Sequence, residues 1–302
     1  MDKRIAWPTL LEAQLGNLLI GGLLALIYGP ILIHWVDGWL YKSISIDHEY
    51  FSHGLIGLPY AAYLIFVVNR KPWQALENRF HPLGAFFLTL GSLLYLAGTL
   101  YSVNLSFPIV LTGLFLALKG IPGVQLNRFP LLIIFLATPN PLPYLITPFT
   151  LPLQIFIAGV AGFILMHLGM EATVEQMYLL VNGRAVEVAP YCAGLKMLFT
   201  SLYVTLILLH WTGNLKSRSR TLFMLLSAAM ISVLANIARN TLLASFHGTN
   251  NDKAFEWLHE GWGGDVYSML MLLTIIFLNQ NLDRLGFMPI DNLNGEKREE
   301  NP

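Results

Sequence analysis

The 302-residue chain is predicted to be an all-α membrane protein, a bundle of about eight transmembrane helices. To the bundle it adds a re-entrant proline-rich segment and a small outward hairpin ahead of Cys192. Three observations carry this reading. The composition is 55% hydrophobic and only 12% charged, against about 25% charged residues in soluble domains. Apolar runs approaching the ~20 residues needed to cross a bilayer recur along the whole length. Lysine and arginine concentrate in a few of the connections, as orientation by positive charge requires. The formal net charge is zero, which gives no ground for a nucleic-acid partner.

The runs follow in order. Leu15 to Val36 is read as an uncleaved first span, with Pro30 as a candidate kink, since it is too long for a signal-peptide core. A polar loop from Asp37 to Ser52 precedes the second span, Gly54 to Val68, which Asn69-Arg70-Lys71-Pro72-Trp73 closes. Leu83 to Tyr101 and Leu105 to Leu118 are the third and fourth. Phe129 to Thr138 is apolar but too short to cross, and Pro139-Asn140-Pro141-Leu142-Pro143 cannot continue it as a helix. Leu151 to Leu168 is the fifth span. Between Met177 and Val188, two β-prone stretches flank Asn182-Gly183, a strong hairpin turn. Gly194 to Trp211, Leu222 to Phe246 and Tyr267 to Leu282 complete the set. Residues 1–282 thus form one polytopic domain, followed by a polar tail, 283–302.

Charge and parity set the orientation. Arg70, Lys71 and Arg79, then Lys216, Arg218 and Arg220, then Arg284, Lys297 and Arg298 mark three cytoplasmic regions. A crossing by Phe129 to Ile146 would put the Lys216–Arg220 loop outside. Eight spans avoid that conflict and leave both termini cytoplasmic, with Cys192 facing outward.

The polar residues are the candidates for chemistry. Cys192 is the only cysteine, so it forms no internal disulfide and is too little for a structural zinc site. It lies between Pro190 and Gly194 at the entry to an apolar helix, where the helix dipole favours thiolate. A small buried apolar residue is the plain alternative. Asn236, Arg239 and Asn240 are spaced three and four apart and so share a helix face. An arginine in a span is a functional candidate, or it snorkels to the headgroups. His259 stands just before the last span, among interfacial tryptophans. Three consecutive spans then bring Cys192, Arg239 and His259 to one membrane face: a thiol, a base and a fixed cation, the parts for acyl transfer from an amide. His53, opening the second span, either lines the same pocket or caps its helix. These residues do not form a metal-ligand set, and neither metal nor organic cofactor is expected.

Cys192-Ala193-Gly194, Asn236-Ile237-Ala238-Arg239 and His259 resemble the signature of the exosortase/archaeosortase family of multi-pass membrane transpeptidases. Ser52-His53-Gly54 and the Pro139–Pro143 segment resemble further features of that family, and the likeness covers about residues 40 to 282. Ala193 stands where serine is usual, a variant similar to cyanobacterial members, so this position supplies no hydroxyl.

The resemblance implies a bacterial cell-membrane cysteine protease or transpeptidase with its site on the outer face. Its implied partners are secreted proteins that carry a C-terminal sorting signal: a Pro-Glu-Pro-like motif, an apolar helix and a basic tail. Cys192, Arg239 and His259 are the implied catalytic group, with Asn236, Gly194 and His53 in support. A transporter is the first competing reading, but the sequence has no inverted repeat and no polar residues at the middle of several spans. A non-catalytic scaffold of a polysaccharide or secretion system is the second.

Overall fold

The computed structural model describes residues 7–41, 46–189, 194–259, 261–282 and 284. Cys192, at the centre of the sequence reading, lies outside the described residues, as does nearly all of the polar tail. The described chain is mostly helical, with one small sheet.

Helix α1 (Trp7–Tyr41) runs through Pro30 without a break and continues past Asp37, where a loop was expected. Packing extends it: Trp35 and Trp39 are buried with Tyr50, Phe51 and Leu195 in one aromatic-rich cluster. The short α2 (Ile46–Glu49) follows. Next come α3 (Gly54–Tyr63), which continues as a π-helical turn Leu64–Val68, and α4 (Arg70–Ala75). Helix α5 (Pro82–Leu96) packs along α6 (Leu100–Leu126), an antiparallel pair.

The path of α6 is interrupted at Gly120, whose φ of 63° and ψ of −156° belong to a region open essentially to glycine alone. The expected fourth span ends two residues earlier. Beside this break, backbone N–H groups of Arg79 and His81 donate to the carbonyls of Leu118 and Leu116. The buried Lys119 donates to the Leu76 carbonyl at 2.5 Å.

Helix α7 (Arg128–Ala137) is short, as its sequence demands, and stops before Pro139. Helix α8 (Leu142–Ile146) and a 3₁₀ turn, Thr147–Phe149, leave it at 67°. That bend is a geometry shared by a broken span and a re-entrant turn.

The site-bearing half follows. Helix α9 (Leu151–His167) leads into strands β1 (Ala172–Glu175), β2 (Tyr178–Val181) and β3 (Arg184–Glu187), paired antiparallel in the order β1-β2-β3. Asn182-Gly183 makes the β2–β3 turn, with both residues at positive φ. Strand β1 was not foreseen. Its inward residues Ala172 and Val174 join Leu179, Val181 and Val188 over Ile157, Ala161 and Leu165 of α9. Period-two alternation therefore lays one apolar face of the sheet on the helices.

Helices α10 (Leu195–Trp211) and α11 (Arg218–Gly248) come next. The amphipathic α12 (Asp252–His259) and then α13 (Trp262–Asn281) close the fold. Helix α11 packs against α9, α10, α12, α13 and the sheet, so it is the axis of this half.

Among the described residues, four helices are long and apolar enough to cross a membrane: Leu18–Tyr41, Leu100–Leu126, Arg218–Gly248 and Trp262–Asn281. The bent α7–α8 pair makes a fifth if it counts as one span. Gly54–Val68, Pro82–Leu96, Leu151–His167 and Leu195–Trp211 are apolar but shorter.

Polar side chains do lie inside the helical packing, two of them near the starts of their helices. Asn104 in α6, Gln154 in α9 and Asn236 in α11 are all buried. The first two are internally satisfied ties. Trp35 Nε1 donates to Asn104 Oδ1 at 2.8 Å, and Asn104 Nδ2 donates to the Pro139 carbonyl at 3.2 Å. One side chain thus joins α1, α6 and the proline-rich break. Asn104→Leu leaves a buried indole N–H and a carbonyl unpaired, at a cost of about 1–2 kcal/mol. The expected outcome is a lowered thermal unfolding midpoint in detergent, with Asn104→Gln intermediate.

Candidate functional site

Polar residues spaced three and four apart share one face of a largely apolar helix, and here that face meets two other segments, the start of α10 and the end of α12. Asn236 and Asn240 are buried on one face of α11, and Asn240 Nδ2 donates to the Asn236 carbonyl at 2.9 Å. Asn236 faces the start of α10. A Cβ placed on Gly194 would lie 2.7 Å from Asn236 Cγ, closer than real Cβ contacts allow. Gly194 also has φ of +83°, the left-handed region that favours glycine. Both facts require glycine at the position that follows the Cys192-Ala193 pair.

Arg239, one turn on, reaches the other way. Its Nη2 donates to the carbonyls of Leu258 (3.3 Å) and His259 (3.4 Å) at the end of α12. A cation at the C-terminal carbonyls of a helix is well placed against the helix dipole. Its Nε is buried and has no hydrogen-bond partner among the described residues. Arg239 lies nine residues before the end of α11, about 14 Å along the axis.

His259 ends α12 rather than opening the last long helix. The apolar face of α12 is pinned by buried Leu258, and Trp257 covers the turn into α13, where a Cβ on Gly263 would overlap its ring. The His259 imidazole stacks on Phe255 with centroids 5.1 Å apart and planes 13° from parallel.

Between α12 and the sheet lies a cavity of about 190 Å³, lined by Ala185, Glu187, Ala189, Asn240, His247 and His259 among others. The structure therefore gathers Gly194, Asn236, Arg239 and His259 at one end of the α10–α11–α13 group. His53 is held elsewhere. It is buried, with Nε2 3.2 Å from the Leu136 carbonyl and its ring 4.2 Å from that of Tyr203, midway along α10. That removes the helix-capping reading, since His53 makes no side-chain cap.

A family model described as transmembrane exosortase (Exosortase_EpsH) matches residues 34–276, most of the chain. The chain belongs to the transmembrane exosortase family. No curated protein and no solved structure matches it. Family membership and the run of apolar helices together make it a membrane protein.

Three supports of this exosortase site escaped the sequence reading. Gln154, buried in α9, donates to the Val188 carbonyl at 2.8 Å, four residues before Cys192. A lone amide inside an apolar run was the signal that could have found it. Tyr267 of α13 donates to the Ala235 carbonyl at 2.7 Å, tying α13 to the same stretch of α11. Lys196, in the first turn of α10, pairs with Glu49 of α2 at 3.2 Å. No spacing rule connects residues so far apart in the chain.

Gly194→Ala tests the close contact. The strained φ costs about 1 kcal/mol, and displacement of Asn236 adds to it. The expected outcome is a folded protein with a lower unfolding midpoint and a changed rate of Cys192 alkylation by iodoacetamide. Asn236→Ala in the same chain should restore part of the midpoint by clearing the overlap.

Proposed function

We propose that this exosortase is a membrane-embedded cysteine protease or transpeptidase, with Cys192 as nucleophile, His259 as acid/base and Arg239 as the fixed cation. The observation that carries the reading is the convergence of Arg239 and His259 at the place where both flanks of Cys192 are anchored. Ala189 borders the His259 cavity and Gly194 seats on Asn236. Two peptide units separate Cys192 from Gly194, so their Cα atoms lie within about 8 Å in any conformation.

The Cys192 thiol passes its proton to His259, and sulfur attacks the peptide carbonyl. Arg239, whose Nε has no hydrogen-bond partner among the described residues, stabilises the oxyanion or grips an acidic side chain of the substrate. The carbon–nitrogen bond breaks as His259 returns the proton to the leaving amine. Water, or an amine acceptor, then opens the thioester.

The substrates are secreted proteins with a C-terminal signal made of a Pro-Glu-Pro-like motif, an apolar helix and a basic tail. Eight crossings, a re-entrant proline-rich segment, cytoplasmic termini with 283–302 as a tail, and an outward sheet complete the proposal. The basic residues at 216–220 support this orientation.

A reporter precursor bearing that three-part signal, co-expressed in bacterial membranes, provides the test. Cys192→Ala should leave it uncleaved. Arg239→Lys, which loses the planar fork, should lower the rate about 100- to 1000-fold, and His259→Ala about 100- to 10,000-fold. Residues acting as one unit are non-additive, so Arg239→Ala with Cys192→Ala should match Cys192→Ala alone. Parental cleavage by a fully abundant Cys192→Ala chain would sink the thiol mechanism.

Orientation is checked on the Cys192→Ala background with single cysteines at Asn182 and Ser217. An impermeant reagent applied to intact cells should label the first and spare the second.

A further inference from the structure

The sheet ends on β3, and its free edge is one wall of the cavity that holds His259. The register settles which backbone groups face that way. Val181 pairs with Arg184 across the two-residue turn, Leu179 pairs with Val186, and the Val188 N–H donates to the Met177 carbonyl at 2.9 Å. Arg184, Val186 and Val188 therefore spend their backbone groups on β2. By the period of two, the N–H and C=O of Ala185 and Glu187 point the opposite way. Both residues line the cavity, together with Ala189, and among the described residues no strand lies beyond β3. The facing wall is made of His247, Phe255 and His259. A row of unpaired main-chain donors and acceptors is a template for another extended chain.

We propose that the substrate polypeptide adds to β3 as a fourth strand, paired through Ala185 and Glu187. Glu187 precedes Cys192 by five residues in the chain. An extended chain laid along β3 is carried past His259 with its carbonyls at fixed spacing. Main-chain pairing accounts for grip and register, and the groups on the facing wall contact alternate side chains. The proposal rests on the peptide-cleaving reading above and adds the conformation in which the peptide binds.

The test uses the same reporter precursor. Cys192→Ala removes the only native cysteine. Ala185→Cys in that background gives one thiol on the β3 edge, and Thr173→Cys gives one on the opposite edge strand. Single cysteines are then walked along the precursor's signal, and oxidative crosslinks are scored in membranes. Strand addition is expected to give crosslinks from position 185 to every second precursor residue, and none from position 173. Crosslinks recurring every third or fourth residue, or favouring position 173, would overturn it.

An absence of crosslinks, with a parental chain that cleaves the precursor, would overturn strand addition alone. A parental chain that leaves the precursor intact would overturn the peptidase reading, and strand addition with it. Ala185→Pro on the parental chain gives a second measurement. It deletes the cavity-facing N–H but leaves the β2 ladder whole. It should raise KM about five- to tenfold at unchanged kcat and normal abundance. An unchanged KM would count against the pairing.

Discussion

A polar stripe on one helix governs the arrangement of the C-terminal half. Asn236, Arg239 and Asn240 lie on a single face of α11, within an environment that offers almost no water. Each has hydrogen-bonding capacity that is costly to leave unmet in a low-dielectric setting. Arg239 finds its acceptors in the last carbonyls of α12, Asn240 donates to the Asn236 carbonyl of its own helix, and the Gly194 turn packs directly on the Asn236 amide. Satisfying the stripe is thus the same event as assembling the site. The glycine at 194 is the complementary half of that constraint, since any side chain there would occupy the volume of the Asn236 amide.

The sheet contributes a second constraint. Its apolar face rests on α9 and on Ile237 and Ala244 of α11, and Gln154 holds the Val188 carbonyl at the strand exit. The chain therefore leaves β3 in a fixed direction before entering residues 190–193. In the proposed reading Cys192 follows this exit, and positioning chemistry is served by supports on helices rather than on a loop.

Much of this was legible in the sequence, for identifiable reasons. Hydrophobic runs located the helices because burial in lipid is written into composition. Asn182-Gly183 marked the turn because few residue pairs accept its dihedral angles. The Arg239–His259 association was readable because both interrupt apolar or interfacial stretches.

What escaped depends on pairing in space. Strand β1 is four residues long with no turn dipeptide before β2, and its apolar positions declare themselves only against α9. Asn104 and Gln154 are single amides whose partners lie far along the chain. The extension of α1 past Asp37 comes from Trp39 packing against Tyr50 and Phe51, which no helical periodicity encodes. His53 faced the same limit: its sequence neighbours placed it at a helix entry, but Tyr203 decides where its ring goes.

Helices α9 and α10, which flank the sheet, have only 17 residues each. That gives about 26 Å of rise, against a hydrocarbon thickness of ~30 Å. Such a hydrophobic mismatch is met by thinning of the adjacent bilayer or by snorkelling of flanking residues. The sheet end, with its polar strand edge and open cavity, tolerates water where the apolar helix walls do not.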